Sequence, residues 1–199
     1  MARVVITGTG RCGTKWCATV LRLAGHFCGH EQVYSTHMLP SMREPDWWRY
    51  EADSSLAAVP YLAEMPRDIH RVLVVRHPFD YTRSVVGAGP FLERSQPAGL
   101  IEYVTREHPE VMRADNDKQA ALRFWVAWNT AGLRHVDAVL PIEHTAPETL
   151  LAVCGLEPRW TMFPFLDRVG TGPGCDISLL DGDIPEGLPP LASRLGYEI

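Results

Sequence analysis

The chain has 199 residues, 46% of them hydrophobic and 22% charged, with a formal net charge of −5. That length predicts one domain with a sizeable core, and the ordinary composition excludes a chain that is disordered, collagen-like or coiled coil throughout. The acidic balance gives no sign of a nucleic-acid partner, and no apolar run approaches the ~18 residues of a membrane span.

The chain opens directly on Arg3-Val4-Val5-Ile6, which reads as a strand over residues 3–7 rather than a secretory leader. Glycine-rich residues follow, and residues 14–24 continue as a helix. Between residues 25 and 66 the pattern is weaker. A short strand is expected at 50–52 and a helical stretch at 55–65, with Ser54 or Ser55 suited to its N-cap. Residues 71–75, Arg-Val-Leu-Val-Val, are apolar without alternation, as in a strand covered on both faces. His77-Pro78 breaks that strand and starts a helix, with proline in the first turn.

The longest helix is predicted over residues 118–136, with Leu122, Trp125, Val126, Asn129 and Leu133 on one stripe. Its two tryptophans, Trp125 and Trp128, read as packing. Residues 138–142 form a third apolar run, and Thr145-Ala-Pro-Glu148 has the form of a capping box for a helix over 149–154, stopped by Gly155. Beyond it the chain is rich in proline and glycine, with one late helix expected at 188–195. Strands alternating with helices define an α/β fold in three α/β/α layers, with a mostly parallel central sheet. The single domain spans 1–199, with a motif-bearing core over about 1–155 and a loop-rich segment over 156–199.

The five cysteines, Cys12, Cys17, Cys28, Cys154 and Cys175, are odd in number and form no CxxC pair. Free thiols in a reducing, cytoplasmic compartment are the expectation. No metal site is expected: only His26 and His30 show a helical ligand spacing, and Gly25 and Gly29 place them in a loop.

Two loops carry the chemistry. Thr7-Gly8-Thr9-Gly10-Arg11-Cys12-Gly13-Thr14-Lys15-Trp16 joins a strand to a helix start. Glycines admit positive φ and a close ligand, the helix N-terminus attracts an anion, and Arg11 and Lys15 add positive charge. Only two of the 19 basic residues are lysine, Lys15 and Lys118, which gives weight to a lysine in such a loop. A Walker A loop needs G-x-x-x-x-G-K-[ST]. Here Gly13-Thr14-Lys15-Trp16 sets the lysine one place late, with no hydroxyl after it for Mg²⁺, so a metal-dependent ATPase or kinase is disfavoured. The second loop follows the strand at 71–75, where Arg76 and Ser84 could converge on one phosphate. Both loops lie at the carboxyl edge of the sheet, where α/β proteins bind ligands.

Together the two segments resemble the sulfotransferases that use 3′-phosphoadenosine 5′-phosphosulfate (PAPS). In that family a [KR]-[ST]-G-[ST]-[ST] loop holds the 5′-phosphosulfate, and R-x-P-x-x-x-x-x-S holds the 3′-phosphate. The first is matched at Arg11, Gly13 and Thr14, and the second at Arg76, Pro78 and Ser84. Gly29-His30-Glu31, Ser54-Ser55-Leu56-Ala57 and the segment from Trp125 to Asn129 are similar to bacterial members, so the resemblance covers about residues 1–155. Cys12 stands where serine or threonine is usual, and Lys15 where threonine or serine is common. The nucleotide-closing R-K-G-x-x-G segment is absent, with Arg168-Val-Gly170-Thr-Gly172-Pro-Gly174 a loose substitute.

The resemblance implies a P-loop-like α/β fold and a metal-independent transfer of a sulfonate from PAPS to a hydroxyl or amine. The acceptor would be a small or carbohydrate-like molecule. It implies a nucleotide site made of Gly10, Arg11, Cys12, Gly13, Thr14, Lys15, Trp16, Arg76 and Ser84. Arg11, assisted by Lys15, would face the departing oxygen. Glu31 would be the general base, with His30 as the runner-up and His37 and Asp53 weaker candidates. Trp47-Trp48 read first as core or interface but could line an acceptor pocket, Ser54 and Ser55 could touch nucleotide or acceptor instead of capping a helix, and acceptor loops are expected at 32–52, 88–118 and 156–185. The rival readings are a Mg-ATP-dependent nucleotide kinase or NTPase, and a non-catalytic nucleotide-binding protein of the same fold.

Overall fold

The computed structural model describes residues 3–45, 50–89, 97–159 and 184–199. Among these residues there are five strands, β1 (Arg3–Thr7), β2 (Cys28–His30), β3 (Ala52–Ser54), β4 (Ile69–Val75) and β5 (Ala138–Pro141). They form one sheet in the order β2-β3-β1-β4-β5, and every pair is parallel.

Both faces are covered, which is why β1 and β4 are apolar without alternation. Val4, Ile6, Val72 and Val74 point into one core with helices α1 (Thr14–Leu23) and α6 (Pro147–Val153). Val5, Leu73 and Val75 point into the other, with α2 (Pro78–Val86), α3 (Ala98–Glu107), α4 (Pro109–Met112), α5 (Asp117–Leu133) and α7 (Leu188–Arg194). Residues 72–75 are wholly buried, and each such side chain contributes about 1.5–3 kcal/mol. The chain leaves β1 through α1 toward β2 on one side. It leaves β4 toward β5 on the other. The carboxyl ends of β1 and β4 therefore flank the crevice where connections diverge, the usual ligand position in such sheets.

The expected three-layer α/β arrangement is present, with local corrections. The strand expected at 50–52 lies at 52–54, paired between β1 and a strand, β2, that was not anticipated. The helical stretch after Ser55 is a 3-10 helix, Leu56–Tyr61, with Pro60 inside it. Proline lacks the N–H that an α-helix interior uses. Ser55 does cap it, accepting from the Ala57 N–H at 3.0 Å.

The capping box at 145–148 does not form. The Thr145 hydroxyl donates to Pro141 O at 2.5 Å, and α6 starts two residues earlier than expected, at Pro147. On α5, Val126 and Leu133 of the expected stripe are only half-buried, while Ala121, Phe124 and Trp128 are buried. The burial is broad because α5 packs against α2, α4, α7 and β4 together. Helices α3 and α4 were not anticipated. Trp47-Trp48 and the glycine-rich residues 168–174 lie outside the described residues. No helix among the described residues is long and apolar enough to cross a membrane.

Candidate anion-binding cleft

The first loop is shaped by close approach and by backbone handedness. A Cβ on Gly8 would stand 2.3 Å from Val74 O and 2.5 Å from the Cys12 sulfur, so only glycine lets the chain leave β1 against β4. Gly10, Arg11 and Gly13 then take positive φ (68°, 49° and 101°). A left-handed residue followed by a right-handed one, as where Gly13 precedes the first residue of α1, turns successive amide N–H groups toward a shared concavity. Gly13 is the N-cap of α1, with no side chain capping the helix. The first-turn amides and the positive helix end thus face outward at Thr14 and Lys15.

The second loop is held against the first. Arg76, only 9% exposed, donates from Nη1 to Arg11 O at 3.0 Å. Arg11 in turn donates from Nε to the Ser84 hydroxyl of α2 at 3.1 Å. The Trp125 indole N–H donates to Arg76 O at 2.9 Å. The next amide, His77 N–H, donates to the Glu143 carboxylate, which also accepts from the Tyr197 hydroxyl at 3.1 Å. Burial, reinforced by Glu143, pushes the Tyr197 phenol far above its ordinary range. It is therefore a fixed donor that ties the C-terminal segment to the second loop.

The third wall comes from the end of β2. The His30 Nε2 lies 3.5 Å from the Thr14 hydroxyl. Burial lowers the His30 pKa, with Arg22 and Lys15 acting the same way and Glu31 opposing. Glu31 has φ 57°, a conformation that side-chain-bearing residues adopt rarely and mostly where surroundings impose it.

These parts enclose one cleft of about 650 Å³, within the range of small-molecule sites. Its polar end holds Arg11, Lys15, His30, Glu31, Arg76 and Ser84, with Gly10, Gly13, Thr14 and Trp16 beneath. Cys12 is the predicted site residue that is not brought there. Its side chain is fully buried in the core under α1, and desolvation pushes its thiol up to about 11. Any part it takes in binding is left to its main chain. His37 is exposed on another 3-10 helix, and Asp53, Ser54 and Ser55 are buried behind the cleft rather than in it. Ser54 donates to Thr14 O at 2.8 Å, bracing the start of α1. His26 does not join His30. Its Nε2 lies 2.9 Å from Glu157 O and its Nδ1 faces Glu51.

The opposite end is apolar: Leu56, Val85, Leu100 and Phe124. Sequence reasoning missed it, although a signal was there. Tyr81, Ser84, Val85 and Ala88 all line the cleft, and their i, i+3, i+4, i+7 spacing marks one helix face continued past the end of α2. No family model matches the chain, and a search of the curated proteins returns no relative.

Proposed function

We propose that the protein is a P-loop-like, PAPS-dependent sulfotransferase acting on a hydroxyl or amine acceptor in the cytoplasm. The observation that carries this reading is the meeting of the two family-like loops, Arg76 on Arg11 O and Arg11 on Ser84, at one cleft. A donor with phosphate groups at both ends of a ribose needs two anion subsites held at a fixed separation. The left-handed first loop, the uncapped α1 and the two exposed cations suit the 5′ end. Arg76 and Ser84 suit the 3′-phosphate.

PAPS supplies an activated sulfonate on a mixed anhydride. Glu31 takes the acceptor's proton as the acceptor oxygen or nitrogen bonds to sulfur. Arg11 and Lys15, with the amides of Gly13 and Thr14, hold the electron pair left on the bridging oxygen when the old S–O bond breaks. His30, its pKa lowered, is the second candidate for the proton. The apolar end of the cleft fits an organic body that need not be charged.

The test is transfer itself. The full chain is incubated with PAPS and a panel of hydroxyl and amine acceptors. The expected result is a sulfonated product formed in step with adenosine 3′,5′-bisphosphate. Arg11→Ala should slow transfer by about a hundredfold to a thousandfold, the usual cost of losing one transition-state donor. Transfer unaffected by Arg11→Ala, or turnover of ATP and not PAPS, would refute the reading.

A further inference from the structure

We propose that Asp53 is a positioning residue: its carboxylate clamps the turn 31–34 and so fixes Glu31 at the cleft. The catalytic half of this inference rests on the sulfotransferase reading above; the clamp itself does not.

Asp53 is fully buried in the middle of β3. Its two oxygens are divided between two amides of the turn. Oδ1 accepts from Gln32 N–H at 3.2 Å, and Oδ2 from Tyr34 N–H at 3.1 Å. The two residues that follow Asp53 complete the bracket. Ser54 O accepts from Glu31 N–H at 3.3 Å, and the Ser55 hydroxyl donates to Tyr34 O at 2.5 Å. Opposite Asp53 on β2 stands Gly29, where a Cβ would be 2.3 Å from Oδ1. The carboxylate therefore fills the space that glycine leaves.

A left-handed Glu31 persists only if its surroundings over-determine it, and these four bonds do so. An amide in place of the carboxylate would present an NH₂ group to one of the two N–H donors, breaking half of the clamp.

The clamp also has a readout of its own. Burial is the main influence on the Asp53 pKa and raises it to about 6, against the pull of the Tyr34, Gln32 and Val33 amides and with a further push from Glu31. The other titratable or charged groups nearby are Tyr34 on the turn, Cys28 and His30 on β2, and Arg22 of α1, which donates to Cys28 O at 2.7 Å. From β1 the partner in register is apolar Val5.

The experiment follows the Gln32 and Tyr34 amide resonances of the ¹⁵N-labelled full chain from about pH 3 to 8, which also covers a carboxyl held low by its two amide donors. We expect both to inflect together near pH 6 in the wild type, and neither to do so in Asp53→Asn. In parallel, Asp53→Asn should lower kcat for transfer from PAPS between about tenfold and a hundredfold. Affinity for adenosine 3′,5′-bisphosphate should stay within about twofold, a kcat effect without a binding effect. Absence of the shared inflection in the wild type overturns the clamp, whether or not Asp53→Asn folds. An undiminished kcat in Asp53→Asn overturns the positioning role. A shared inflection in a wild type that transfers nothing upholds the clamp and sinks the enzyme reading instead.

Discussion

Replacing Gly8 by alanine tests whether the first loop binds through its backbone shape. The added Cβ would meet Val74 O at 2.3 Å and the Cys12 sulfur at 2.5 Å. The carbonyl belongs to β4, which is paired with β1 over five residues, so it cannot swing aside as a side chain could. Relief requires the loop to lift by about 1 Å, and overpacking of this kind costs about 1–3 kcal/mol.

For a chain of this size a loss of about 2 kcal/mol lowers Tm by about 4–8 °C. The functional cost should be larger, because the same lift moves the amides of residues 10–15 off the anion. A shift of about 1 Å can cost about a hundredfold. Gly155→Ala is the control, since its φ of 64° is also left-handed but nothing lies within 4 Å of the new Cβ. The assay is thermal denaturation with and without adenosine 3′,5′-bisphosphate. Gly8→Ala should lose most of the ligand-induced shift while still unfolding cooperatively, and Gly155→Ala should keep it. A Gly8→Ala variant with an undiminished ligand shift would refute the backbone-cradle argument.

Two further outcomes are expected. Trp125→Phe removes the indole donor to the buried Arg76 carbonyl, a lost hydrogen bond worth about 0.5–1.5 kcal/mol. Calorimetry should show a lowered Tm, and binding should weaken more for adenosine 3′,5′-bisphosphate than for ADP; equal weakening would contradict the role given to the second loop. Cys12, buried and with its thiol pushed up to about 11, should resist alkylation at neutral pH in the folded chain and react in urea. Rapid labelling of the native protein, read by mass spectrometry, would contradict its placement in the core.

The parts of the fold that were legible are those whose signal is local. Residues 3–7 and 71–75 are apolar runs cut off by glycine or proline, and they became β1 and β4. The loops after them sit on one sheet edge because both strands are parallel neighbours, so the meeting of Arg11, Arg76 and Ser84 followed from topology. What was not legible depends on distant partners. β2 is Cys-Gly-His, with no strand propensity to speak of; it is a strand because it pairs with β3, and its glycine makes room for Asp53. Asp53 read as a weak base candidate, yet its two oxygens are taken by main-chain amides of the turn that carries Glu31. Cys12 read as a nucleotide-site residue standing where a hydroxyl is usual, but its side chain is buried in the core under α1.

The most direct measurement is a thermal-shift comparison of adenosine 3′,5′-bisphosphate, ADP and Mg-ATP at matched concentrations. At ~100 times its dissociation constant a ligand stabilises by about 2.7 kcal/mol, or roughly 5–10 °C here. A cleft with Arg76 and Ser84 for a second phosphate predicts a clear shift with the 3′,5′-bisphosphate, with no metal added, and a smaller one with ADP. A shift with Mg-ATP alone, or none with the bisphosphate, would contradict it.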